Sequence, residues 1–155
     1  MSDESNPEDR PHLTVAAVVE RDGRFLLVEE RSSGKVVLNQ PAGHVEAGET
    51  LVQAVVRETL EETGWYFEPQ FVIGVYRYYS PLNGVTYLRI CFGGEVAGHD
   101  EQRPLDDEIL QALWMERSAL EREGERLRSP MVLRCIDDYL AGRRYGLDLL
   151  TEVAL

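Results

Sequence analysis

The chain has 155 residues, 43% hydrophobic and 28% charged, and its 28 Asp+Glu against 16 Lys+Arg give a formal net charge of -12. That length suits one domain with a sizeable core. The acid excess excludes a face that grips a nucleic acid polymer by neutralising phosphates, and it excludes a polybasic membrane anchor.

The chain opens on the polar, acidic stretch MSDESNPEDR, the reverse of a basic-then-apolar signal peptide. This stretch, residues 1–10, is expected to be a disordered acidic tail, with a single domain over 11–155. No run reaches the roughly 18 apolar residues of a membrane span. Cys91 and Cys135 form neither a disulfide framework nor a metal-ligand pair and read as core residues. A soluble, cytoplasmic protein is expected, with no membrane partner.

Leu13 to Val19 reads as a buried strand, Arg21-Asp22-Gly23-Arg24 as a turn, and Phe25 to Val28 as the second strand of a hairpin. Val36 to Leu38 is a short third strand ending before Pro41. A loop, Pro41 to Gly48, leads into a helix from Leu51 to Thr63. Thr50 and Gln53 make a capping box for it, and Gly64 follows its end. Two strands, Phe71 to Tyr79 and Thr86 to Val96, are joined around Pro81 to Gly84. The acids Asp106-Asp107-Glu108 precede an apolar run, Ile109 to Met115. Ser129-Pro130 starts a helix that runs to about Leu140. The order of strands, helix, strands and helix predicts an α/β (α+β) domain with a mixed sheet held between helices.

The informative stretch is GHVEAGETLVQAVVRETLEETGW, Gly43 to Trp65. At about 100° per residue, Glu58, Glu61 and Glu62 fall on one arc while Val52, Val55, Val56 and Thr59 fall beside it. Like charges three and four residues apart weaken a helix, and only Arg57 lies within it to offset them. A solvated acidic face is the ordinary reading of Glu-x-x-Glu-Glu. The glycine-bearing loop before the helix favours another: carboxylate oxygens suit a divalent cation that keeps part of its water, Mg²⁺ or Mn²⁺.

These residues resemble the Nudix box, Gly-x5-Glu-x7-Arg-Glu-U-x-Glu-Glu-x-Gly-U with U a bulky apolar residue. Gly43, Glu49, Arg57, Glu58, Glu61, Glu62 and Gly64 fill its fixed positions, Trp65 suits the last, and Thr59 departs from the first U. The resemblance implies a Nudix α/β/α sandwich and metal-dependent hydrolysis of phosphoanhydrides in small molecules. It implies Glu58 and Glu62 as main metal ligands, Glu61 as an assisting one, Gly43 as a carbonyl donor, and Arg57 paired with Glu49 to orient the cluster. The general base is Glu61, Glu58 or an acid of Asp106-Asp107-Glu108. That segment, with Asp107 and Glu108 foremost, either supplies an extra carboxylate or is a solvated turn.

Pro11 to Val19, Asn39-Gln40-Pro41-Ala42-Gly43-His44 and Leu127 to Pro130 are similar to the NudJ-type phosphatases of that family. The likeness implies phosphate release from thiamine pyrophosphate and nucleoside tri- and diphosphates. Leu38 stands where that type carries tryptophan, which implies a missing aromatic surface. The alternatives are a nucleotide-sugar, ADP-ribose or sanitising nucleoside triphosphate pyrophosphatase, or a non-catalytic ligand-sensing module. The family includes monomers and homodimers.

On the substrate side, Arg24, Arg77 and Arg89 are candidates for phosphate oxygens. Tyr76, Tyr78, Tyr79 and Tyr87 are candidates for ring stacking or for cross-strand packing. His44, beside the metal loop, is a further candidate contact.

Overall fold

The computed structural model describes residues 9–154; the expected acidic tail lies almost wholly outside them. The chain runs β1 (His12–Arg21), β2 (Arg24–Ser32), β3 (Lys35–Asn39), β4 (Ala42–His44), α1 (Leu51–Thr63), β5 (Trp65–Tyr79), β6 (Thr86–His99), β7 (Ile109–Glu116), α2 (Arg117–Arg122) and α3 (Met131–Leu140). The seven strands form a mixed sheet in the order β3-β2-β1-β6-β5, with β4 added to β1 and β7 to β2. β1 runs parallel to β6, and the remaining pairings are antiparallel.

β1 shows why both sheet faces are covered. Successive side chains point to opposite faces, and here neither face meets water. Val15, Ala17 and Val19 pack with Ala54 and Val55 of α1. Ala16 and Val18 pack with Val132, Cys135 and Ile136 of α3 and with Leu120 of α2. A continuous apolar run is the expected pattern for a strand buried on both sides. The result is an α/β/α sandwich.

α1 forms where its signals place it. Thr50 Oγ1 accepts from Gln53 N at 3.0 Å, Gln53 Oε1 accepts from Thr50 N at 3.0 Å, and Gly64 closes the helix at φ 76°. Thr59, at the apolar box position, is fully buried, yet its hydroxyl donates to Val55 O at 2.8 Å. No donor is orphaned there, so the core tolerates the departure.

Other segments depart from the sequence reading. The loop after Pro41 contains a strand, β4, whose Thr14↔His44 and Val15↔Gly43 pairings fix it against β1. β5 begins directly after Gly64, six residues earlier than expected. Pro69 is accommodated because β5 is the edge of the sheet and its register shifts between Pro69 and Phe71. α2 was not foreseen; its six residues are too few to display a period. Leu38 lies in the core at 1% exposure, beside Phe25 and Val132, so its side chain would not present a surface to a ligand.

Candidate functional site

A cleft of about 540 Å³ opens on the α3-side face of the sheet. β4, the end of β5, the start of β6, β3 and the segment before α3 surround it. An acidic cluster lies next to this cleft where β4 meets α1, against Ala42 and Gly43 of its lining. Carboxylate oxygens of Glu58, Glu62 and Asp106 all lie within 4.8 Å of one another. Glu58 and Glu62 share a helix face four residues apart, whereas Asp106 arrives from the loop before β7. The main chain secures that loop, with Asp106 N donating to Glu61 O at 3.1 Å.

Close approach of β4 to α1 requires Gly43. A Cβ built there would overlap the Glu58 carboxyl group, so any larger residue would push that carboxylate aside. Next to it, Ala42 N donates to Glu62 Oε1 at 2.8 Å. That is the sole hydrogen bond to the Glu62 carboxylate among the described residues, although its residue is only 6% exposed. Burial pushes Glu62 well above the ordinary 4.5, opposed by the Ala42 N–H and reinforced by Glu30, Glu58 and Asp106. Burial also raises Glu58, against the pull of Arg57.

Arg57 holds the other side of the cluster. Its Nε and Nη2 grip both oxygens of Glu49 at 2.6 and 2.9 Å, Nη2 also donates to His44 O at 3.0 Å, and Nη1 reaches Glu58 Oε1 at 2.8 Å and Glu61 Oε2 at 3.2 Å. The Arg57 hydrogen bond, the largest influence on Glu49, holds that acid below its ordinary value. The two-pronged contact fixes the guanidinium plane and with it the Glu58 carboxylate.

The donor set fits a divalent cation. Three mutually close carboxylates, two of them pushed toward protonation by burial and mutual repulsion, lack a positive partner sufficient for their charge. Glu58, Glu62 and Asp106 could hold such an ion through hard oxygen atoms, with waters completing its shell.

Asp106 was one of three expected acids, and it is the one in this cluster. Asp107 is exposed, while Glu108 lines the cleft. Glu61 points to Arg57 instead of joining the closest group. His44 lines the cleft and hydrogen-bonds His12, with Nε2 and Nδ1 3.0 Å apart; burial and then the neighbouring His12 lower its pKa.

The remaining substrate candidates separate by strand geometry. Arg89 and Tyr87 lie on β6 facing the cleft, as does Tyr78 opposite Tyr87. Arg77 and Tyr79 occupy the alternate positions of β5, point to the other face and do not line the cleft. Arg24 sits exposed at the β1–β2 turn, opposite Arg21, and also falls outside it. Tyr76 donates to Asp138 Oδ2 at 2.7 Å, a packing role.

Sequence reasoning missed Glu30 and Lys35, and it gave no site role to Asn39 and Arg128 within the segments of family likeness; all four line the cleft. Glu30 and Arg128 form an ion pair at 2.8 Å. They are 98 residues apart, and no local pattern links them.

A model of the NUDIX domain matches residues 10–135. The chain is 40% identical over 143 residues to Phosphatase NudJ of Escherichia coli strain K12, covering 92% of each chain. It is 46% identical to a solved NUDIX hydrolase from Nitrosomonas europaea, with a TM-score of 0.90 over 93% of this chain and 98% of that one. The NUDIX domain of Shewanella oneidensis NrtR, solved with ADP ribose, shares the fold at a TM-score of 0.70 and 16% identity, over 90% of this chain and 94% of that one. The filled box, the sandwich that presents it and these likenesses agree: the chain belongs to the NUDIX family and is a Nudix hydrolase.

Proposed function

We propose that the protein hydrolyses phosphoanhydride bonds in small di- and triphosphates with a divalent cation, Mg²⁺ or Mn²⁺, and releases phosphate from thiamine pyrophosphate and nucleoside tri- and diphosphates. The observation that carries this reading is the juxtaposition of Glu58, Glu62 and Asp106 next to Ala42 and Gly43, which line a cleft large enough for a nucleotide. The 40% identity with Phosphatase NudJ over most of both chains supports the terminal phosphate as the group released.

Glu58, Glu62 and Asp106 are the proposed metal ligands, with Glu61 assisting and the Gly43 carbonyl beside them. When bound, the cation neutralises phosphate charge and acidifies a water. The protein's own groups then have three tasks. Arg57, clamped by Glu49, keeps Glu58 aimed across β4. The Ala42 N–H holds one oxygen of Glu62, leaving the other free. A carboxylate of the group, Glu58, Glu61 or an acid of Asp106–Glu108, takes the proton from the attacking water. The reading includes one domain over 11–155 and a cytoplasmic enzyme.

The test is a Mg²⁺-dependent substrate panel with product identification. Direct release of inorganic phosphate from thiamine pyrophosphate and nucleoside triphosphates is expected. Nucleoside monophosphate with pyrophosphate would assign a sanitising pyrophosphatase instead. Retention of these compounds without turnover would assign a ligand sensor.

A further inference from the structure

Arg89 is 96% buried by its 4% exposure, lines the cleft floor, and pairs with no carboxylate among the described residues. Its hydrogen-bond partners are two neutral amide oxygens, Gln40 Oε1 at 3.0 Å and Asn39 Oδ1 at 3.2 Å, and the Cys135 sulfur at 3.8 Å, and none is a carboxylate. Its Nε is the one buried side-chain nitrogen or oxygen of the described residues that lacks a hydrogen-bond partner. A guanidinium cannot shed its proton to escape this environment. A buried charge without an opposite charge is normally selected against.

The surroundings aim this cation. Gln40 is 1% exposed, and its Nε2 donates to Val132 O at 2.6 Å. That bond fixes the amide so that Oε1 must face Arg89. Asn39 supplies the second acceptor from the next residue. The Asn-Gln pair before Pro41, which the box does not explain, is thereby occupied with one arginine. Arg89 pairs with Thr14 across β1 and Thr14 with His44. Two strand spacings, about 10 Å, therefore separate the Arg89 backbone from the β4 residues beside the acids.

We infer that Arg89 is the anion anchor of the cleft. It binds a phosphoryl group of the substrate other than the one held at the acidic cluster, and Asn39 and Gln40 are its positioning residues. The inference rests on the proposed phosphoanhydride activity and deepens it. The acidic end repels polyphosphate unless a cation is bound, whereas the floor attracts it permanently. The substrate is held at both ends by opposite means. A planar fork suits phosphate oxygens, so the required compound carries at least two phosphoryl groups.

The experiment measures KM and kcat with Mg²⁺ for thiamine pyrophosphate and a nucleoside triphosphate in wild type, Arg89→Met and Asn39→Asp. Thermal melts in EDTA, with and without methylenediphosphonate, accompany it. Arg89→Met is expected to raise KM by about 10-fold or more, more than it lowers kcat, and to abolish the diphosphonate-induced rise in Tm. Asn39→Asp keeps the arginine but gives it a carboxylate partner. It is expected to raise the ligand-free Tm and also KM, a pairing that a merely structural arginine would not produce. Should Arg89→Met fail to fold, Asn39→Asp decides alone. A KM within twofold of wild type in Asn39→Asp, with Tm raised, would overturn the anchor. Absence of any wild-type turnover would instead defeat the proposed activity, while the diphosphonate melts would still report on Arg89.

Discussion

Glu62 on α1 and Asp138 on α3 are carboxylates of nearly equal burial, 6% and 8% exposed, on opposite faces of one sheet. Their environments drive them in opposite directions. Burial raises Asp138 first, but the Tyr76 hydroxyl, Arg134 and Arg143 outweigh it and hold the acid below its ordinary 3.8. Its Oδ2 accepts from Tyr76 at 2.7 Å, Arg134 at 3.1 Å and Arg143 at 3.2 Å. Glu62 has one N–H and three acidic neighbours, and it rises. Asp138 is finished as a structural joint. Glu62 is left incomplete, and the missing charge is what a bound cation would bring. A carboxylate satisfied by its own protein stabilises the fold, whereas one left short of charge marks a site.

The comparison breaks most sharply by removing charge from the incomplete side. Glu62→Gln and Glu58→Gln should each lower Mg²⁺-dependent turnover by at least about 100-fold. Their metal-free Tm should hold or rise, because a repelled buried charge is gone. Near wild-type rates in either variant would remove these residues from the metal site.

A smaller loss is expected from crowding or thinning the same cluster. Gly43→Ala forces the Glu58 carboxyl group away, and Asp106→Asn removes the third acid; each should reduce turnover about 10-fold or more. Unchanged circular dichroism would separate this effect from misfolding. Asp107→Asn serves as the contrast, and a loss equal to that of Asp106→Asn would show that the wrong acid had been assigned.

Asp138→Asn should show the opposite signature. Loss of charge-assisted bonds costs about 1–3 kcal/mol, or several degrees of Tm for a chain of this size. The kcat should stay near wild type, because no atom of Asp138 lines the cleft. A large kcat loss at unchanged Tm would erase the distinction between the two acids.

The smallest effect concerns pH. Glu62 binds a proton more readily folded than unfolded, so between its ordinary 4.5 and its higher folded value stability falls as pH rises. Asp138 contributes stability above 3.8 that is lost as pH falls through its lowered folded value. In EDTA, the Tm of wild type relative to Glu62→Gln should therefore decline from pH 5 to pH 8, and Mg²⁺ should flatten that decline. A parallel pair of profiles would mean that Glu62 is not raised.

The legible part of the molecule is local. The α1 boundaries, its caps, the shared face of Glu58 and Glu62, and the Arg57–Glu49 contact all depend on spacings of no more than eight residues. β4 was not legible, because three residues without a period carry no strand signal and gain one only by pairing with β1. Arg77 and Arg89 looked equivalent as strand arginines. The alternation that sends one into the cleft and the other away from it depends on register, which a lone strand does not fix.

The sequence by itself determined the box helix, the family it resembles and the acidity of one end of the site, because helix periodicity and capping chemistry act within a few residues. Tertiary structure decided which distant groups complete that end and which do not. Asp106 reaches Glu58 and Glu62 only because the loop before β7 is tied to Glu61. Arg89 lacks a carboxylate partner because the folded sheet and α3 surround it with Asn39, Gln40 and Cys135. The balance of charge at a buried group is a property of everything packed around it, and packing is set by contacts between residues remote in the chain.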